Sequence, residues 1–179
     1  MRKIVYYVAV SLDGFISGPD DSVEGFVGSG SGVDKYLADL KEFDTVIMGR
    51  KTYEFGYAYG LKPGQPAYAH MQHYIFSNHL TFENQSESVH VKPIDLDEII
   101  ALKQQPGADM YLCGGGQFAG WLLENDLIDI LKIKLNPLLL GQGTRLFGNS
   151  TKFLQPQLID STLYDHGLQI ITYSLPKAD

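Results

Sequence analysis

The chain has 179 residues, 44% hydrophobic and 20% charged, an ordinary globular composition that excludes disorder and, at roughly 150 residues per domain, favours one domain over 1–179. With 21 Asp+Glu against 14 Lys+Arg the net charge is −7, which argues against a nucleic-acid groove, because duplex binding neutralises many phosphates at once. Cys113 is alone and no apolar run nears the ~20 residues of a membrane helix, so disulfides, cysteine-rich zinc sites and a membrane span are not expected and a cytoplasmic location is.

Ile4 to Val10 is continuous, β-branched and aromatic, the pattern of a strand covered on both faces. Leu12 to Gly32 is too rich in glycine for a regular element, and irregular stretches of this length are usually functional. A helix begins after Ser31 or Gly32, with Val33, Tyr36, Leu37 and Leu40 spaced to give one apolar face. Thr45 to Met48 is the second strand, Tyr74 to Phe76 the third and Val89 to Val91 a short fourth. Asp95 and Glu98 form a capping-box variant for a helix over Leu96 to Gln104, which Pro106-Gly107 ends. Met110 to Cys113 is a strand running into three glycines, and Gln117 to Glu124 a helix. Leu131 to Leu135 alternates apolar and lysine residues, a strand with one buried face. Leu158 to Tyr164 and Leu168 to Leu175 flank Asp165-His166-Gly167, a hairpin signal. The order predicts an α/β domain with a mixed sheet.

Three strand ends carry groups suited to phosphate. Gly114-Gly115-Gly116-Gln117-Phe118 passes from strand to helix through glycines, exposing backbone N–H groups at the positive end of the helix dipole. Side chains there would hold a phosphate away. A Rossmann fingerprint is disfavoured, because the position twenty residues beyond Gly114 is Lys134, not an acid. Gly49-Arg50-Lys51-Thr52 offers a guanidinium fork, a point charge and a hydroxyl; a solvated basic helix start gives the same pattern. Ser77 and Asn78 follow the third strand. One extended, multiply charged ligand across all three strand ends is the simplest account. His70 and His73 lack accompanying carboxylates, so no metal site is expected. Cys113 has no evident base and reads as a small packed hydrophobe.

Ala9-Val10-Ser11-Leu12-Asp13-Gly14-Phe15-Ile16, Val46-Ile47-Met48-Gly49-Arg50-Lys51-Thr52-Tyr53, Cys113-Gly114-Gly115-Gly116-Gln117-Phe118 and Leu135-Asn136-Pro137-Leu138-Leu139-Leu140-Gly141 together resemble the dihydrofolate reductase fold family. Within it, they resemble the branch that includes the reductase domain of bacterial riboflavin biosynthesis. The resemblance implies a mixed, mostly parallel eight-stranded sheet flanked by helices with a C-terminal β-hairpin, and NADPH as hydride donor. It implies that Ala9 and Ile16 contact the nicotinamide, that Gly49, Arg50, Lys51 and Thr52 bind phosphates with Arg50 and Lys51 near the 2′-phosphate, and that Ser77 lies beside the adenine. Gly114 to Phe118 would cover the pyrophosphate, with a cis Gly114–Gly115 peptide. The riboflavin branch also implies a homodimer.

The implied activity is reduction of a small polar C=N or C=O compound, a pterin, pyrimidine or relative. Asp13, Asp34 or a bound water is the implied proton source; Asp34 matches the carboxylate that folate reductases carry on their first helix only with a one-residue gap. The lysine of the riboflavin reductases falls at Tyr7, and Gly56 to Gly64 has no equivalent of their Asp-Asp-Pro. Two other readings stay open: a non-catalytic NADPH-binding sensor, and a true dihydrofolate reductase.

Overall fold

A computed structural model describes residues 1–177; residues 178 and 179 lie outside it. Its main sheet has eight strands in the order β5-β4-β3-β6-β1-β7-β10-β9. These are β1 (Ile4–Ser11), β3 (Thr45–Gly49), β4 (Gln72–Phe76), β5 (Val89–Lys92), β6 (Met110–Gly114), β7 (Ile130–Asn136), β9 (Gln157–Leu163) and β10 (Gln169–Ser174). The six strands from β5 to β7 are parallel, and β10 and β9 close the sheet antiparallel. The expected C-terminal hairpin is thus present, turning through His166 and Gly167 at φ +61° and +73°.

β1 is central, between β6 and β7, which is why its apolar run has no polar face. Ile4 and Tyr6 join the core on one side, with Ile99 and Leu102 of α3 (Leu96–Gln104) and Phe118, Ala119, Leu122 and Leu123 of α4 (Gly116–Glu124). Val5 and Tyr7 join the core on the other, with Tyr36 and Leu40 of α1 (Ser31–Leu40) and Tyr53 of α2 (Arg50–Phe55). At the start of α3 the Asp95 carboxylate accepts from Asp97 N at 2.8 Å. Glu98 does not complete the box; it pairs with Lys92 at 3.0 Å.

Two features depart from the sequence reading. Within Leu12–Gly32, β2 (Phe15–Ser17) pairs antiparallel with β8 (Thr144–Arg145) as a second, two-stranded sheet. A pairing between segments so far apart in the chain leaves no local pattern. In β7 the lysine face is only partly exposed, because α1 packs over it. Lys132 pairs with the buried Asp39 of α1 at 2.6 Å and lies 4.7 Å from the Tyr7 ring centre, while Lys134 lies 3.4 Å from that of Tyr36. Among the described residues no helix is long and apolar enough to cross a membrane.

Candidate active site

The carboxyl ends of β1, β3, β4 and β6 open into a cleft of about 810 Å³, the place where open α/β sheets collect ligands. The structure brings every expected cofactor-binding position to this cleft: Ala9 and Ile16; Gly49, Arg50, Lys51 and Thr52; Ser77 and Asn78; Gly114, Gly115, Gly116, Gln117 and Phe118.

The glycine turn has distinct reasons at each position. Gly114 and Gly115 have φ of +144° and +95°, where side chains are strained. A Cβ on Gly115 would lie 2.7 Å from Thr52 Oγ1, so the turn touches the start of α2 closely. Gly116 is needed for packing instead: its Cβ would lie 2.3 Å from the Arg145 carbonyl oxygen. No side chain caps α4, which leaves its leading N–H groups open toward the cleft. The Gly114–Gly115 peptide is trans, which corrects the expected cis bond; two successive positive-φ glycines supply the reversal.

Arg50 donates to both Glu54 carboxylate oxygens at 3.1–3.2 Å. Lys51 is exposed and joins no ion pair among the described residues. Ser77 Oγ accepts from His79 N and Leu80 N at 3.2 and 3.1 Å, and Asn78 Oδ1 accepts from Ile94 N at 3.0 Å. These two side chains therefore shape the turn after β4. Beside them Phe76 stacks on Phe118 at 5.1 Å, and Phe118 on Trp121 at 6.0 Å, forming a flat aromatic wall.

The opposite side of the cleft is phenolic: Tyr7, Tyr36, Tyr68, Tyr111 and Cys113 line it. The Tyr36 and Tyr111 hydroxyls are 2.7 Å apart, and Tyr68 Oη lies 3.6 Å from Cys113 Sγ. Burial raises Tyr36 to about 12 and raises Tyr7 and Tyr111 further, whereas Tyr68 is raised first by the neighbouring Cys113 and then by burial. Burial also pushes the Cys113 thiol up, against a nucleophilic role. Fully buried His73 orders this wall: its Nε2 accepts from Ala67 N and Tyr68 N, while Nδ1 donates to the Met71 carbonyl. That pattern requires a neutral imidazole, and burial lowers its pKa to about 4.

Neither expected proton donor lines the cleft. Asp13 is exposed and accepts from Ser11 Oγ, Leu140 N and Gly141 N. The Ser11 and Gly141 bonds hold its carboxyl down to about 2, so it anchors the loop as an anion. Asp34 is an exposed residue of α1, which turns Tyr36 toward the cleft in its place. Asp21 is the one lining carboxylate among the described residues. No group of three or more His, Cys, Asp or Glu is placed to hold a metal among them. The sequence reading missed Tyr36, Tyr68 and Tyr111 as lining residues and Lys134 as the cation packed on Tyr36; the signal available was a tyrosine count of 11 and lysines inside a sheet strand.

A model of the RibD C-terminal domain matches residues 2–170. The chain belongs to the RibD C-terminal domain family. One relative, the uncharacterized protein YwjB of Bacillus subtilis, is 30% identical over 178 residues, covering 94% of this chain and 96% of its own. A putative riboflavin biosynthesis protein from Shewanella superposes with a TM-score of 0.83 at 25% identity, covering 98% and 99% of the two chains. Dihydrofolate reductase from Enterococcus faecalis, solved with NADP(H), gives 0.62 at 18% identity over 98% and 97%, a likeness of fold. For a RibD C-terminal domain this cleft combines two chemistries: open amides and cations at one side, phenols at the other.

Proposed function

We propose that this protein is an NADPH-dependent reductase of a small polar C=N or C=O compound. The observation that carries the reading is the convergence of four separated segments, each matched to one part of a dinucleotide, on a single cleft. The residues suit such a ligand. Gly114 and Gly115 keep the turn free of side chains, the leading amides of α4 offer donors to a pyrophosphate, and Arg50 and Lys51 offer charge to a 2′-phosphate. Ala9 leaves space at the end of β1 for a planar ring. NADPH, when bound, supplies a hydride; the chain contributes orientation and the exclusion of water.

A folate-type acceptor calls for a carboxylate on the first helix, and α1 instead presents Tyr36 to the cleft. We therefore favour another polar acceptor over dihydrofolate. We place the activity in one domain over 1–179, in the cytoplasm, and as the homodimer of the riboflavin branch, which gel filtration reads directly. Titration by nicotinamide fluorescence tests the cofactor. NADPH should bind at least tenfold more tightly than NADH, a difference of ~1.4 kcal/mol. The double variant Arg50→Ala, Lys51→Ala should erase that preference. Equal affinities in the unaltered protein would overturn the assignment.

A further inference from the structure

We infer that the phenolic side of the cleft takes a carbonyl oxygen, with Tyr36 as its proton donor and Lys134 as the residue that positions Tyr36 and stabilises its phenolate. This rests on the reductase reading above. An amidine acceptor presents N–H donors that ask for a carboxylate, and the lining offers only Asp21, on the exposed Pro19–Asp21 turn. Asp39, the nearest buried acid on α1, is already held by Lys35, Lys132 and the Tyr7 hydroxyl. What the wall does offer is hydroxyl donors, with one uncompensated cation, Lys134, over the ring of Tyr36, a setting for an oxygen that gains negative charge.

Lys134 stands beside the lining residue Ala9 in the β1–β7 register. It joins no ion pair and no side-chain hydrogen bond among the described residues, in contrast to Lys132 two residues earlier. Its ammonium sits over the Tyr36 ring at 3.4 Å, a cation–π contact that is strongest where water is scarce. The groups facing the pair are Tyr7 from β1, Tyr111 and Cys113 from β6, Tyr68 from the loop before β4 and Lys132 from β7; Ile170 of β10 adjoins Lys134. None of these is a carboxylate, and Asp39, one turn along α1, is held by Lys35, Lys132 and the Tyr7 hydroxyl. Burial lowers Lys134 to about 8, whereas Tyr36 rises least of the four phenols. Tyr36 thus keeps its proton at neutral pH and is the most acidic phenol of the wall.

NADPH, when bound, would supply the hydride and its electron pair to the carbonyl carbon and be left oxidised. The C=O π pair moves onto oxygen, which takes the Tyr36 proton as the Tyr36 O–H bond breaks. The Lys134 ammonium, 3.4 Å from the ring centre, keeps its proton and stabilises the Tyr36 phenolate; water then returns a proton to the Tyr36 oxygen, leaving an alcohol and hydroxide.

Binding of 4-nitrophenol, followed by its phenolate absorbance without cofactor, probes the oxygen pocket. Affinity should fall at least tenfold in Lys134→Met and Tyr36→Phe, and stay unchanged in Lys41→Met, an exposed lysine just beyond α1. With NADPH bound, 4-nitrobenzaldehyde and phenanthrenequinone should be reduced in preference to dihydrofolate. Tyr36→Phe should lower kcat about 100-fold with KM within threefold. Turnover should fall as pH rises through about 8, and Lys134→Met should remove that limb. Equal nitrophenol binding in all variants, no carbonyl reduction by protein that binds NADPH, or a fully active Tyr36→Phe of unchanged melting temperature would each overturn the inference. Failure to bind NADPH would instead overturn the reductase reading, and nitrophenol binding would still report on Tyr36 and Lys134.

Discussion

The two ends of the parallel strands use charge in opposite ways. At the amino ends, ionic groups are saturated. Arg2 reaches Asp44, Thr45 Oγ1 and the Ala108 carbonyl, and Asp44 also accepts from Ala108 N. Buried Lys103 reaches Asp129 and the Leu127 carbonyl, while Asp129 also accepts from Ile4 N and Lys177. At the carboxyl ends, Lys51 and Lys134 join no ion pair among the described residues, and the leading amides of α4 are uncapped. A buried pair is costly to break because removing one partner strands the other charge. An unpaired donor at a cleft is instead available to a ligand. Paired charge is concentrated at one end of the sheet and unpaired charge and amides at the other.

The largest effect should come from breaking the saturated end. Asp129→Ala strands Lys103, which is 3% exposed, and should cost about 3–5 kcal/mol in urea unfolding, with cofactor affinity within twofold of the unaltered protein. A loss below ~1 kcal/mol would remove the contrast between the ends.

Acid should act next, through His73, which supports the cleft wall. Its folded pKa is lowered to about 4 against 6.5 unfolded, so the unfolded chain binds more protons between those values. Its contribution is complete above pH 6.5 and is lost as pH falls toward 4, about 3 kcal/mol in all. Asp44 and Asp129, also held low by their partners, add their loss as pH falls below the ordinary carboxylate range. Urea unfolding across pH 7 to 4 checks this, and His73→Gln should flatten the upper part of the slope.

Gly115→Ala tests the open end. At φ +95°, and with Thr52 Oγ1 in the way, it should cost roughly 1–2 kcal/mol in stability and at least tenfold in NADPH affinity. Arg50→Ala should be the smallest for stability, ~0.5 kcal/mol or less, because its pair with Glu54 is a surface i,i+4 contact. Its effect should appear in NADPH binding alone. A melting temperature more sensitive to Arg50→Ala than to Asp129→Ala would reverse the comparison.

The order and type of the main elements were legible because their signals are local. Ile4 to Val10 has the composition of a central strand, Asp95 marks a helix start, and Gly114 to Gly116 marks a turn that only glycines can make as tightly. The side of the cleft proposed for the cofactor was legible for the same reason: its groups sit in short runs at strand ends. The phenolic side was not. Tyr36, Tyr68, Tyr111 and Lys134 come from four segments with no shared spacing. Asp13 and Asp34 looked available because a sequence does not say which way a side chain turns; one is tied to Leu140 and Gly141 and the other faces solvent.

By itself, then, the sequence of this RibD C-terminal domain determined an α/β sheet and where phosphate-competent backbone must lie, since hydrophobic period, caps and glycine turns act within a few residues. Only the tertiary structure decided that the lysines of β7 turn under α1, that one carries a counterion and the other a tyrosine ring, and that no first-helix carboxylate enters the cleft. Those outcomes depend on which strand lies beside β1 and which helix covers it, contacts between residues about a hundred positions apart that no local pattern encodes.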